Sequence, residues 1–100
     1  MNVEYDPAAE HEFGQAVSYY ATILPTLADR LIGEVEAVVL RIREHPQAWP
    51  PVQGVTGCRR CILGRFPFQI VYRVEGQSIR IYAFAHLSRR PGYWRERTRE

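Results

Sequence analysis

One hundred residues allow one domain around one core, because a chain this short has no surface to spare for a second. A composition that is 46% hydrophobic and 24% charged excludes an intrinsically disordered chain. The formal net charge of +2 conceals an asymmetry: residues 1–50 hold eight acids against three arginines, −5, while residues 51–100 hold ten arginines against three acids, +7, so an anionic partner is expected on the second half.

No apolar run reaches membrane-spanning length, and Met1-Asn2-Val3-Glu4-Tyr5-Asp6 lacks the basic and apolar regions of a secretion signal. A cytoplasmic location without membrane contact is expected. Asn2 to Tyr5 alternates weakly and predicts a short strand, after which Asp6-Pro7 supplies an N-cap and a first-turn proline. The helix that follows places Ala9, Phe13, Ala16, Val17, Tyr20 and Leu24 on one face. Pro25 breaks this run, and Thr26-Leu27-Ala28-Asp29 has the spacing of a capping box for a second helix. That helix carries Leu27, Leu31, Val35, Val38, Val39 and Ile42 at helical spacing and ends before Pro46. Two amphipathic helices with almost no linker predict an antiparallel hairpin over about residues 7–45. Five prolines and glycines then predict a loop over about residues 46–57, with Trp49 as a satellite core residue beneath it.

Beyond the loop the period changes from helical to two. Strands are predicted at Arg59 to Leu63, at Phe68 to Glu75 and at Gln77 to His86, with Gly76 in the last turn, making a three-stranded antiparallel meander over about residues 58–87. Helices first and strands after predict an α+β layer, with Ile79, Ile81, Ala83 and Ala85 facing the helices and Arg80, Tyr82 and His86 on an open face. Pro91 and Gly92 release a C-terminal tail, within residues 88–100. Cys58 and Cys61 form a lone Cys-Arg-Arg-Cys, and residues three apart in a strand point to opposite faces, so two reduced thiols are expected, with no metal and no cofactor.

Chemistry is expected on the open sheet face and in the segment after the last strand. Arg59, Arg60, Arg65, Gln69, Arg73, Arg89, Arg90 and Arg95 stand there with Tyr93 and Trp94, a cationic surface interleaved with aromatics that suits a phosphodiester backbone and its bases. All thirteen basic residues are arginine, whose planar fork matches phosphate and carboxylate. His86 is placed either to act as general acid or base in RNA strand cleavage or to order the tail. Tyr93 and Trp94 either stack on a base or fold back over the apolar edge of the domain.

The order strand, helical hairpin, meander resembles the RelE/ParE toxin superfamily, and several segments are similar to its plasmid-stabilisation branch: Tyr19-Tyr20, Leu27-Ala28-Asp29-Arg30, His45-Pro46, Arg59-Arg60, Arg65-Phe66-Pro67-Phe68, Val71-Tyr72-Arg73, and the run from Ala85-His86 to Tyr93-Trp94. The resemblance covers nearly the whole chain and implies the toxin of a type II toxin–antitoxin module, silenced by an acidic, partly disordered antitoxin. Members resembling RelE cleave messenger RNA in the ribosomal A site, and the resemblance offers Arg59 or Arg60, Arg89, and Tyr93 or His86 for that role. Gln69 stands where such a ribonuclease often places an arginine, and there are no lysines. Members resembling ParE instead bind DNA gyrase and trap its cleaved DNA. On that branch Arg60, His86, Arg89 and Tyr93 are not catalytic, and the arginines are contact residues.

Overall fold

The computed structural model describes residues 1–99, in the order β1 (Asn2–Tyr5), α1 (Pro7–Ile23), α2 (Pro25–Glu44), β2 (Cys58–Ile62), β3 (Phe68–Glu75), β4 (Ser78–His86) and a 3-10 turn, η1 (Arg95–Thr98). Asp6 starts α1 as the sequence predicts: its Oδ1 accepts from the Ala8 amide at 2.9 Å, and Pro7 sits where a helix has no use for an amide proton. The start of α2 departs from expectation. Leu24, extended at φ −160°, ends α1 and begins α2 with no side-chain cap, and Pro25 takes the first turn. Thr26 therefore lies already inside the helix, and the capping box does not form.

The two helices cover one face of a four-stranded sheet ordered β1-β4-β3-β2. β2, β3 and β4 form the expected antiparallel meander, turned between β3 and β4 at Gly76, whose φ of 61° is open to glycine. β1 adds to β4 in parallel, with Val3 opposite Ile79. Leu31, Val35, Val38 and Ile42 of α2 and Ala9 and Ala16 of α1 pack on Ile70, Tyr72, Ile79 and Ile81 in the main core, where Trp49 also packs. The Tyr72 hydroxyl donates to the Pro46 carbonyl at 2.6 Å, tying the proline loop to the sheet.

The sheet faces differ from the simple alternation. Tyr72 pairs with Ile81 but Val71 pairs with Ala83, which leaves Tyr82 as an extra residue in β4. One inserted residue exchanges the faces of all that follow. Ala83 and Ala85 therefore leave the helical side, and Phe84 enters it, stacked on Phe68 at 4.6 Å and edge-on to Phe13 at 5.2 Å. His86 moves with Phe84, its ring 5.1 Å from that of Phe68, and does not share a face with Arg80.

The second face is not open. Cys58, Val71, Ala83 and Ala85 form a second buried cluster closed by Trp94, which is 3% exposed, with Val52 and Val55 packed against it. The two thiols are thus in different cores, on opposite faces, and burial pushes both above the usual thiol range, which keeps them inert. The tail that closes this face is tethered to α1. Glu12 accepts from both terminal nitrogens of Arg97 at 2.8 and 2.9 Å, from the Tyr93 hydroxyl at 2.6 Å and from the Phe84 amide at 3.1 Å. Arg97 also donates to the Tyr82 carbonyl at 3.0 Å, and Arg73 to that of Thr98 at 3.2 Å. Burial acts to raise the Glu12 carboxyl, but these bonds outweigh it and hold the group below its ordinary range.

Two outcomes follow from this packing. Trp94→Ala removes the lid of the second core and is expected to cost about 3–5 kcal/mol in a denaturant titration; a cost below about 1 kcal/mol would mean the tail is not packed as described. Because the Glu12 carboxyl titrates lower in the folded chain than in the unfolded one, its contribution is complete above about pH 4.3 and is lost as pH falls through the folded value. Glu12→Gln is expected to lower stability at pH 7 by about 2 kcal/mol and to flatten the acid limb of the stability profile. An acid limb as steep as that of the unaltered chain would count against the tether.

Candidate functional site

The ten arginines of the second half divide according to what their guanidinium groups touch. Five are used internally. Arg59 donates to the Trp49 carbonyl at 2.6 Å and the Gln47 amide oxygen at 2.7 Å. Arg73 pairs with Glu75 at 2.8 Å, Arg80 with Asp6 and Glu4 at 3.5 and 3.7 Å, Arg97 with Glu12, and Arg99 with Glu96 at 3.6 Å. Tyr82 bridges the first of these pairs, donating to Glu75 while it accepts from Arg73. The other five, Arg60, Arg65, Arg89, Arg90 and Arg95, are exposed, and their side chains have no hydrogen-bond or acidic partner among the described residues.

Four of these free arginines converge. Arg60, Arg89 and Arg90 line a recess of about 160 Å³ floored by Gln69 and Ala85, and Arg60 and Arg95 line an adjoining cleft of about 430 Å³ that also reaches Gln69. No acidic residue lines either one. The wall opposite β2 and β3 is the chain from His86 to Trp94, folded back by successive tight turns: Arg89 N–H to the His86 carbonyl at 3.0 Å, Tyr93 N–H to that of Arg90 at 3.2 Å, Arg95 N–H to that of Gly92 at 3.0 Å. Gly92 is required here. Its φ is 75°, and a Cβ on it would lie 2.6 Å from Arg95 Nε, which crosses directly over it. Arg65 stands apart, beside Phe66 and α2.

Tyr93 and His86 occupy the other end of the site. The Arg89 guanidinium lies 3.9 Å from the centre of the Tyr93 ring, so the tyrosine positions that arginine while Glu12 positions the tyrosine. Burial, and then the bond to Glu12, push the Tyr93 phenol up to about 12. His86 is exposed, and its Nδ1 is held by the Ser88 amide at 3.0 Å and hydroxyl at 2.8 Å, with no carboxylate bonded to the ring. Among the described residues no group of three or more His, Cys, Asp and Glu side chains comes together as a metal site. The chemistry available is anion binding by converging guanidinium groups, of which Arg89 is seated on Tyr93, with one imidazole at the edge.

The structure therefore brings together Arg60, Gln69, His86, Arg89, Arg90, Tyr93 and Arg95 of the residues singled out from sequence. It separates Arg59 and Arg73, which brace the loop and tail, and Arg65, which lies elsewhere; Trp94, 3% exposed, lines both cavities from beneath. Glu12 is the residue that sequence reasoning missed. Its only signal was position, an acid between Ala9 and Ala16 at the border of the apolar stripe of α1.

No helix is long and apolar enough to cross a membrane. Among curated proteins nothing matches this sequence. Among solved structures, a chain of a chromosomal ParDE toxin–antitoxin system from P. aeruginosa matches with a TM-score of 0.74 at 22% identity, covering 86% of this chain and 95% of that one, a likeness that shows a shared fold. The family model for the ParE toxin of type II toxin–antitoxin systems, parDE, matches residues 3–91, which includes the free arginines up to Arg90, all of β2 to β4 and β1 from Val3 onward. The chain thus belongs to the ParE toxin family of type II toxin–antitoxin systems.

Proposed function

We propose that this toxin arrests growth by binding DNA gyrase and holding its cleaved DNA complex, with no catalytic step of its own. The observation that carries this reading is the state of Tyr93. Its hydroxyl is committed to Glu12 and its phenol is pushed up to about 12, so at neutral pH it neither gives nor takes a proton readily. Gln69 on β3 adds no charge where a ribonuclease of the superfamily often uses an arginine. What remains is a rigid cationic surface, suited to contact. The alternative, a ribosome-dependent messenger RNA endoribonuclease, is favoured by one feature: His86 lies at the margin of the recess lined by Arg60, Arg89 and Arg90, although its ring turns to Phe68 on the other face.

The partner on this reading is a cognate antitoxin, an acidic and partly disordered chain with an amphipathic segment that folds on binding. The helical hairpin offers such a segment a groove of about 560 Å³ lined by Tyr5, Phe13, Ile32, Val39 and Leu40, the last of them 53% exposed.

Induction of the chain alone is expected to stop growth, and co-expression of the neighbour-encoded partner to restore it. Mapped before growth stops, cells are expected to show gyrase-linked DNA breaks with intact messages; new messenger 5′ ends at codon-spaced positions, without breaks, would overturn the gyrase reading. Tyr93→Phe is expected to keep full growth arrest while melting about 4–8 °C lower, the cost of about one hydrogen bond. Loss of arrest at unchanged stability would return Tyr93 to a catalytic role.

A further inference from the structure

Gln69 Oε1 is buried without a hydrogen-bond partner, at the floor of the recess whose rim carries Arg60, Arg89 and Arg90. Such an orphan is costly and calls for an explanation, and a ligand group reached by a small rotation of the Gln69 side chain toward the recess is one that the lining allows. Elsewhere on the second half Arg73, Arg80, Arg97 and Arg99 are paired with acids, Arg59 is spent on neutral oxygens, and Arg65 stands alone. The four arginines around Gln69 are left uncompensated, in a cleft with no acid in its walls, and they are held there by built structure. Arg89 rests on Tyr93, and the Arg95 side chain lies over Gly92.

We propose that this cleft binds a single strand of nucleic acid, with Arg60, Arg90 and Arg95 on successive phosphates and the Gln69 carboxamide on the polar edge of one unstacked base. A carboxamide carries a donor and an acceptor side by side, which matches a base edge and does not match a phosphate or a carboxylate. Paired bases keep those edges engaged or facing a groove, so a recess with its polar group at the floor selects a strand whose base is free to turn in. The inference rests on the binding reading above, because it gives the cleaved DNA of a trapped complex a direct contact on the toxin.

The test is fluorescence anisotropy of the full chain with labelled single-stranded DNA, RNA of the same sequence, the matching DNA duplex, and poly-glutamate. Single-stranded DNA is expected to bind at least about tenfold more tightly than duplex or poly-glutamate, with an affinity that falls as salt rises by about 0.7 in log–log slope per phosphate contact. Arg60→Ala with Arg90→Ala is expected to weaken binding about tenfold or more and to reduce that slope. Arg30→Ala with Arg41→Ala, the same change of charge on α2, is expected to leave both nearly unaltered. Gln69→Ala separates a ligand contact from a structural one: affinity is expected to fall about tenfold while melting temperature holds or rises, since an unmet buried acceptor is removed. Tighter binding of poly-glutamate, equal losses in the α2 pair, or a Gln69→Ala chain that binds normally overturns the proposal, and binding of RNA alone overturns its assignment to DNA. A chain that arrests growth and traps gyrase on DNA yet binds no strand overturns this inference and leaves the proposed function standing.

Discussion

A single carboxylate on the helical side of the molecule organises the opposite side. Glu12 projects from α1 past the edge of the sheet and accepts four hydrogen bonds, one from the Phe84 amide of β4, one from Tyr93 and two from Arg97. The side chains of Glu12 and Arg97 are only 16% and 20% exposed, so the pair is poorly screened by water and its geometry matters. Through Tyr93 the same carboxylate holds Arg89, and through Arg97 it holds η1 across Tyr82. Without it the segment after Gly92 is kept on the sheet by the insertion of Trp94 and by the bonds from Arg73 to Thr98 and from Arg97 to the Tyr82 carbonyl.

The extra residue at Tyr82 is the second constraint. It lets β4 serve two cores in turn, Ile79 and Ile81 under the helices and Ala83 and Ala85 under the tail. The small alanines are what allow Trp94 to settle against that face. With Trp94 seated, the preceding turns place Arg89 and Arg90 opposite Arg60 of β2, and the cleft exists because the tail is folded back.

Much of this was legible in the sequence. The helices, the meander, the turn at Gly76 and the separation of Cys58 from Cys61 follow from periodicity and glycine or proline placement alone, because those signals are local. Apart from the capping box at Thr26, the errors are non-local. Nothing within β4 distinguishes a strand that alternates evenly from one with a residue inserted at Tyr82, since Ala83, Phe84 and Ala85 are apolar on both faces. The fold-back of Tyr93 and Trp94 was one of two readings open in the sequence, but its anchor was not legible, because Glu12 lies more than eighty residues away in the chain. For the same reason composition pointed to a cationic half but did not separate Arg59 and Arg73, which brace the fold, from Arg60, Arg89, Arg90 and Arg95, which are free. That division depends on which guanidinium groups find carbonyls and carboxylates after folding.

Hydrogen exchange in the unaltered chain and in Glu12→Gln tests the dependence of the site on this one carboxylate most directly. If Glu12 holds the second face together, the amides of Phe84, Arg95, Arg97 and Arg99 lose protection in the variant while those of Val35, Val38 and Ile42 in α2 keep theirs. Unchanged protection in the tail, or an even loss across helices and tail alike, would contradict it.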